Sequence, residues 1–171
     1  IAGAAARAGK SLEEVTAIAQ SFADNMASLA VAASGATNPA TGMEIAQVAA
    51  GCLEVGVGLH GEKGNAKPLQ TAEATVTLML DALLEDLNVL PEEKLLVLVS
   101  GSGATTLMEQ LIIFRNCYAY LAEKNIEIVA SHVGELMTVQ EMAGFEICIA
   151  RMNEELLKYW NAPCYTPYFK K

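Results

Sequence analysis

His60 is one of only two histidines in the chain, and it closes the run LEVGVGLHGEKG, Leu53 to Gly64. A neutral imidazole is both a nucleophile and a base near neutral pH. Gly58 lies two places before it and Gly61 directly after it. Glycine lets another molecule come close to the backbone and the ring. The pattern suits attack on a carbonyl carbon or removal of a proton. It equally suits a strand that ends in a turn, its ring bonded to backbone. One histidine makes no triad, and no serine or cysteine beside it forms a nucleophile elbow.

Two carboxylates flank His60. Glu54 shares its face of an extended strand but stands six residues back, about 20 Å away. Glu62 is therefore the better candidate to orient the ring. A second candidate is VLVSGSGATT, which follows a strand-like run and opens a helix, a geometry that offers backbone N–H groups to an anion. It lacks the Lys-Ser/Thr end of a Walker loop and the third glycine of GxGxxG. A tight turn packed against a neighbouring domain explains it better. His132, beside Ser131 in a strand-like run, reads as a structural histidine. Trp160, Tyr165 and Tyr168 read as packing.

These groups need elements to hold them. Ile1 to Ala8 favours helix, with Gly9 as its stop. Ser11 and Glu14 form a capping box for a helix from Leu12 to about Met26, its apolar face at Val15, Ile18, Ala19 and Phe22. SLAVAAS, Ser28 to Ser34, predicts a buried strand, and SGATNPATG, Ser34 to Gly42, a loop. CLEVGVGLH alternates from Cys52 to His60, with Leu53, Val55, Val57 and Leu59 on one face. Gly61 to Pro68 reads as a loop. Thr71 caps a helix to Leu87, with Val76, Leu80, Leu83, Leu84 and Leu87 in the core. Lys94 to Ser100 predicts a central strand, Leu107 to Lys124 a long helix, and Ile126 to Val133 a strand. Thr138 to Ala143 suggests one helical turn. Phe145 to Met152 is strand-like, and Asn153 caps a last short helix. Strands and helices alternate over short links without an internal repeat, so the class is α/β, helices packed on a mixed sheet.

Of the 171 residues, 53% are hydrophobic and 18% charged, which suits one globular domain or half of a larger protein. A net charge of −9 argues against nucleic acid, whose phosphates need clustered Lys and Arg. The four cysteines, Cys52, Cys117, Cys148 and Cys164, show no CxxC pair. Cys148 reads as a small core residue, and a reduced, cytoplasmic setting fits. No apolar run reaches the ~20 residues of a membrane helix, and Ile1 to Ala8 is no secretory signal. The chain begins at Ile1, which suggests a fragment or a processed piece.

Taken together, several stretches resemble one family. EVGVGLHGEKG is similar to the His-Gly-Glu segment of the dihydroxyacetone kinase substrate-binding subunit. IAGAAARAGKSLEEV resembles that family's alanine-rich helix and its capped successor. SGATNPATG resembles its Thr-x-Pro-Ala loop, and LVSGSGATTLMEQL its Gly-Ala-Thr turn. GELMTVQEMAGFEICIARMNEELLKYWNAPCYTP resembles its final block, ending at Trp160 to Pro163. The order is the same throughout, and the likeness covers the whole chain. It implies the C-terminal domain of that subunit's fold. It further implies that His60 bonds covalently to the substrate's carbonyl carbon as a hemiaminal, with Gly58 and Gly61 beside the substrate.

The departures also carry expectations. The family's Gly-Gly-Gly-Ser-Gly-His-Glu-Pro loop and catalytic aspartate belong to an N-terminal half, and neither is present here. The resemblance thus implies a missing N-terminal domain and a fragment inactive alone. Lys63 replaces the usual proline after His-Gly-Glu, freeing that loop. The ending after Thr166 and Pro167 matches the multi-subunit type, where phosphoenolpyruvate is the ultimate donor. The chain itself would then carry no cofactor or metal. Nucleotide and magnesium would sit on a helical partner subunit, recharged by a phosphocarrier subunit. Dihydroxyacetone is the implied substrate, and a homodimer stays open. A catalytically silent relative that senses dihydroxyacetone to regulate transcription would share His60, so that residue does not separate the two readings. A bare structural domain with a docking face is the third.

Overall fold

The computed structural model describes residues 1–58 and 62–171. Five helices are present among them: α1 (Ala2–Arg7), α2 (Leu12–Asp24), α3 (Ala72–Leu87), α4 (Leu107–Glu123) and α5 (Glu154–Trp160). The strands are β1 (Met26–Ala32), β2 (Ala36–Thr37), β3 (Glu44–Ile45), β4 (Cys52–Val55), β5 (Asn65–Pro68), β6 (Lys94–Gly101), β7 (Glu127–Gly134) and β8 (Gly144–Arg151). Six of them form one mixed sheet in the order β5-β4-β1-β8-β6-β7, while β2 and β3 pair as a separate ribbon. Only β6 and β7 run parallel, joined by α4 as the crossover helix.

Alternation along the strands divides the core. Leu95, Val97 and Val99 pack with Val76, Met79, Leu80 and Leu83 of α3 and Ile113, Cys117 and Leu121 of α4. Leu96 and Leu98 point the other way, toward Phe22 of α2 and Leu156, Leu157 and Trp160 of α5. The result is three layers with the sheet in the middle, the α/β class the sequence predicts. The caps stand where the sequence puts them. Ser11 and Glu14 form a reciprocal box, and the Thr71 and Asn153 side chains accept from the N–H groups of Ala74 and Leu156.

Several boundaries differ from expectation. α2 stops at Asp24, because Asn25 caps it and β1 begins directly at Met26. The SGATNPATG stretch is a hairpin rather than a plain loop: Ala36 pairs with Ile45 and Thr37 with Glu44. Residues 65–68, read as loop, form edge strand β5 against β4. No helical turn forms between Thr138 and Ala143, whose backbone instead bonds to the end of β6. Tyr165 and Tyr168 do not pack; they are 77% and 69% exposed.

Candidate functional site

β4 ends at Val55, short of the His60 the alternation reaches for. Gly56 ends it, at φ +86°, a conformation that L side chains rarely adopt. Its N–H still bonds the Ala30 oxygen at 2.8 Å. The turn carries Val57 onto a small cluster with Ala32, Ala36, Val48, Val139 and Met142. Val57 therefore does not continue the Leu53–Val55 face, but joins residues at the far end of β1 and β8.

Gly58 and Glu62 are joined across the next three positions. The Gly58 N–H donates to the Glu62 oxygen at 3.0 Å. A Cβ on Gly58 would fall 2.1 Å from Glu62 Oε2, so the carboxylate of Glu62 fills the space that glycine leaves. Gly64 is small for a similar reason, since a Cβ there would meet the Val55 oxygen at 2.6 Å. His60 and Gly61 lie outside the described residues, and so does Leu59.

Three other stretches that carry the sequence resemblance converge on the same end of the sheet. The Ser34 hydroxyl accepts from the Ala143 N–H at 2.9 Å, and Ala33 N–H donates to the Ala143 oxygen at 2.7 Å. In the hairpin, the Thr37 hydroxyl beside Glu141 holds that carboxyl below its usual range. The Gly101–Thr106 turn is stitched to the same segment. Ser102 N–H donates to Gly144, Ala104 N–H to Met142, and Val139 N–H to Ser102. Thr105 Oγ1 donates to the Gly144 oxygen at 2.6 Å.

That stitching uses up several of the groups that would hold an anion. The Ser102 and Ala104 N–H groups already have carbonyl partners. The start of α4 is occupied by its own carboxylate: Glu109 accepts from the Thr106 N–H at 2.8 Å and from its hydroxyl at 2.7 Å. Those bonds hold the Glu109 carboxyl below its ordinary value. The turn is packed against residues 139–144 of its own chain.

A polar pair behind this turn, Gln110 buried and Glu135 half-buried, escapes sequence reasoning. Gln110 is 1% exposed; its amide donates to the Thr105 oxygen at 2.8 Å and to Glu135 Oε1. Gly101 leaves the room for both side chains. Ser100 Oγ accepts from the N–H groups of Leu136 and Met137, tying this loop to β6. Twenty-five residues separate Gln110 from Glu135, so no local spacing signals the contact.

The remaining candidates are structural. His132 meets the Phe169 ring edge-on, centroids 5.0 Å apart. Burial pushes the thiols of Cys117 and Cys148 up, to about 12 and about 11. Among the described residues no group of three His, Cys, Asp or Glu side chains is placed to hold a metal. None of their helices is long and apolar enough to cross a membrane. Among the described residues, concavities of about 570 and 560 Å³ lie along α3 and between Arg7 and the last residues, away from the converging segments.

A family model described as the Dak1 domain matches residues 1–168. The chain belongs to the Dak1 family. This Dak1 domain is 35% identical over 170 residues to the dihydroxyacetone-binding subunit DhaK of PTS-dependent dihydroxyacetone kinase 2 from Listeria innocua, covering 99% of the chain and 51% of that protein. It is 33% identical to the L-erythrulose kinase of Pectobacterium atrosepticum, covering 98% of the chain and 29% of that enzyme. Its fold is similar to the solved structure of the dihydroxyacetone kinase operon co-activator Dha-DhaQ, with TM-score 0.89 and 26% identity over 95% of the chain and 51% of that one. The Dak1 domain thus spans about half or less of the relatives it matches.

Proposed function

We propose that this Dak1 domain is the ketone-holding part of a short-ketose kinase, with dihydroxyacetone as substrate and His60 as its covalent anchor. The observation that carries the reading is the 35% identity, over 99% of the chain, to a subunit named for binding dihydroxyacetone. The convergence of residues 34–45, Val57, Gly58, the Gly101–Thr106 turn and residues 134–144 at one sheet end supports it.

The chemistry follows from the imidazole. Its unprotonated nitrogen forms a C–N bond to the ketone carbon, and the carbonyl π electrons move to oxygen. The other ring nitrogen then gives up its proton and the new alkoxide takes one, leaving a neutral hemiaminal. A polyol with no electrophilic carbon cannot make this bond, so covalent capture rejects glycerol more sharply than hydrogen bonds would. A terminal hydroxyl of the held ketose then receives the phosphoryl group. Gly58 and Gly61, on either side of the anchor in the chain, are the glycines proposed to bind the substrate. A further domain supplies the general base, so this stretch alone is inactive. Nucleotide and magnesium reside on a partner subunit, a phosphoenolpyruvate-fed phosphocarrier recharges it, and the assembly works in the cytoplasm.

The test is a phosphorylation assay on the protein that contains this domain, with its nucleotide-bearing partner. Dihydroxyacetone is phosphorylated, glycerol is not, and His60→Ala removes the reaction. Equal turnover of glycerol, or an active His60→Ala variant, overturns the reading. The likeness to the co-activator, at TM-score 0.89, favours a second reading in which the domain binds dihydroxyacetone and transfers nothing. Binding without turnover selects it.

A further inference from the structure

The concavity between Arg7 and the last residues carries one sign of charge. Its walls are Arg7, Pro163, Cys164, Tyr165, Lys170 and Lys171, around about 560 Å³. That volume is in the range of small-molecule sites. The chain holds 20 Asp and Glu against 11 Lys and Arg. Three of those cations line this one cavity, and no described acid does. None of the three makes an ion pair among the described residues. Like charges gathered without counter-charges repel one another, and a multiply charged anion relieves that repulsion.

Local structure holds these cations in place. Cys164 N–H donates to the Lys171 oxygen at 3.2 Å, Lys171 N–H to the Cys164 oxygen at 3.0 Å, and Thr166 N–H to the Phe169 oxygen at 2.8 Å. The resulting hairpin sets Tyr165 opposite Lys170. The Lys170 ammonium stands 5.0 Å from the centre of the Tyr165 ring, and the Lys171 ammonium 4.0 Å from that of Trp160. A ring face steadies an ammonium without neutralising it, so the charge stays available. Partial burial holds Lys171 below the usual lysine range, a direction that a bound anion reverses. Arg7 adds a planar fork of donors, which matches the oxygens of a phosphate.

We propose that this concavity binds a phosphate dianion, free or as the monoester of a small molecule. A phosphate monoester carries about −1.5 to −2 charge near neutral pH, which answers three cations better than one carboxylate does. Arg7 supplies the fork and the two lysines the point charges, while Pro163 and Tyr165 wall the rest of the cavity. The site lies away from the segments that converge near Val57 and Gly58, and it does not rest on the ketose reading.

Cys164 is exposed and lines the same cavity, so its alkylation reports on the site locally. The test follows capture of Cys164 by iodoacetamide, read by peptide mass spectrometry, on protein containing this domain at physiological salt. Inorganic phosphate or glycerol phosphate should slow capture saturably by at least about threefold, because a pocket and its ligand cover each other. Chloride or acetate at equal ionic strength should not. Stronger protection by glycerol phosphate assigns the site to an ester; equal or stronger protection by inorganic phosphate assigns it to the free ion. Arg7 and Lys170 are both exposed, so Arg7→Gln with Lys170→Gln should abolish protection at an unchanged melting temperature. His60→Ala should keep the protection, which separates this site from the ketose anchor. No protection by either phosphate overturns the proposal. So does protection that acetate matches, that survives Arg7→Gln with Lys170→Gln, or that His60→Ala removes.

Discussion

Glu62 closes over Gly58: its backbone oxygen accepts the Gly58 N–H at 3.0 Å, and its carboxylate lies where a Cβ would stand. Gly58→Ala must therefore push Glu62 aside, next to the proposed anchor. We expect ketose affinity to fall by at least about tenfold while the melting temperature barely moves, because the clash falls on an exposed side chain that can swing away. Adding Glu62→Gly removes the clash and should restore part of the affinity, read by calorimetry on the protein containing this domain. Unchanged affinity in Gly58→Ala would show that this closure does not shape the site.

Gly103 lies at φ +125°, and a Cβ there would stand 1.9 Å from the Gln140 oxygen. Backbone cannot yield as a side chain can. Gly103→Ala should cost about 2–4 kcal/mol, combining dihedral strain with a steric clash. Chemical denaturation gives the value, and a loss below 1 kcal/mol would mean the 139–144 segment relaxes freely.

Arg151 holds four partners at the opposite end of the sheet. Its guanidinium donates to Glu93 at 2.7 Å, to the Leu87 and Asn88 oxygens at 2.6 and 2.8 Å, and to Asn25 Oδ1 at 3.3 Å. The two carbonyls belong to the last residue of α3 and to its cap, Asn88, a helix C-terminus that a cation suits. Arg151→Ala should cost about 2–3 kcal/mol, and Arg151→Lys should rescue little, since an ammonium cannot span the fork. A fully rescued lysine variant would argue for simple charge.

Cys117 is fully buried, its thiol pushed from an ordinary 9.0 up to about 12. A folded-state pKa above the unfolded one stabilises below the unfolded value and is lost as pH rises toward the folded one. Stability should fall between about pH 9 and 12, and Cys117→Ala should flatten that limb. Denaturation curves across alkaline pH check the slope. Identical slopes would place the alkaline sensitivity elsewhere.

Much of the frame was legible. Ser11, Thr71 and Asn153 announced their helices because capping is local chemistry, and β6 and β8 announced themselves as short apolar runs. β5 was not legible: Asn65, Ala66, Lys67 and Pro68 are all exposed and show no alternation. Only pairing with β4 makes them a strand. The Cys52–His60 alternation overran because its pattern cannot show that Gly56 has positive φ. Gln110 with Glu135, and Ser34 with Ala143, come from the tertiary fold, so sequence spacing was silent on them.

The central claim concerns one covalent bond, and intact-protein mass spectrometry reads it directly. Protein containing this domain, incubated with dihydroxyacetone, should gain the mass of one ketose, and His60→Ala should show no gain. An adduct that survives in His60→Ala, or its absence from the unaltered protein under saturating ketose, would contradict the account.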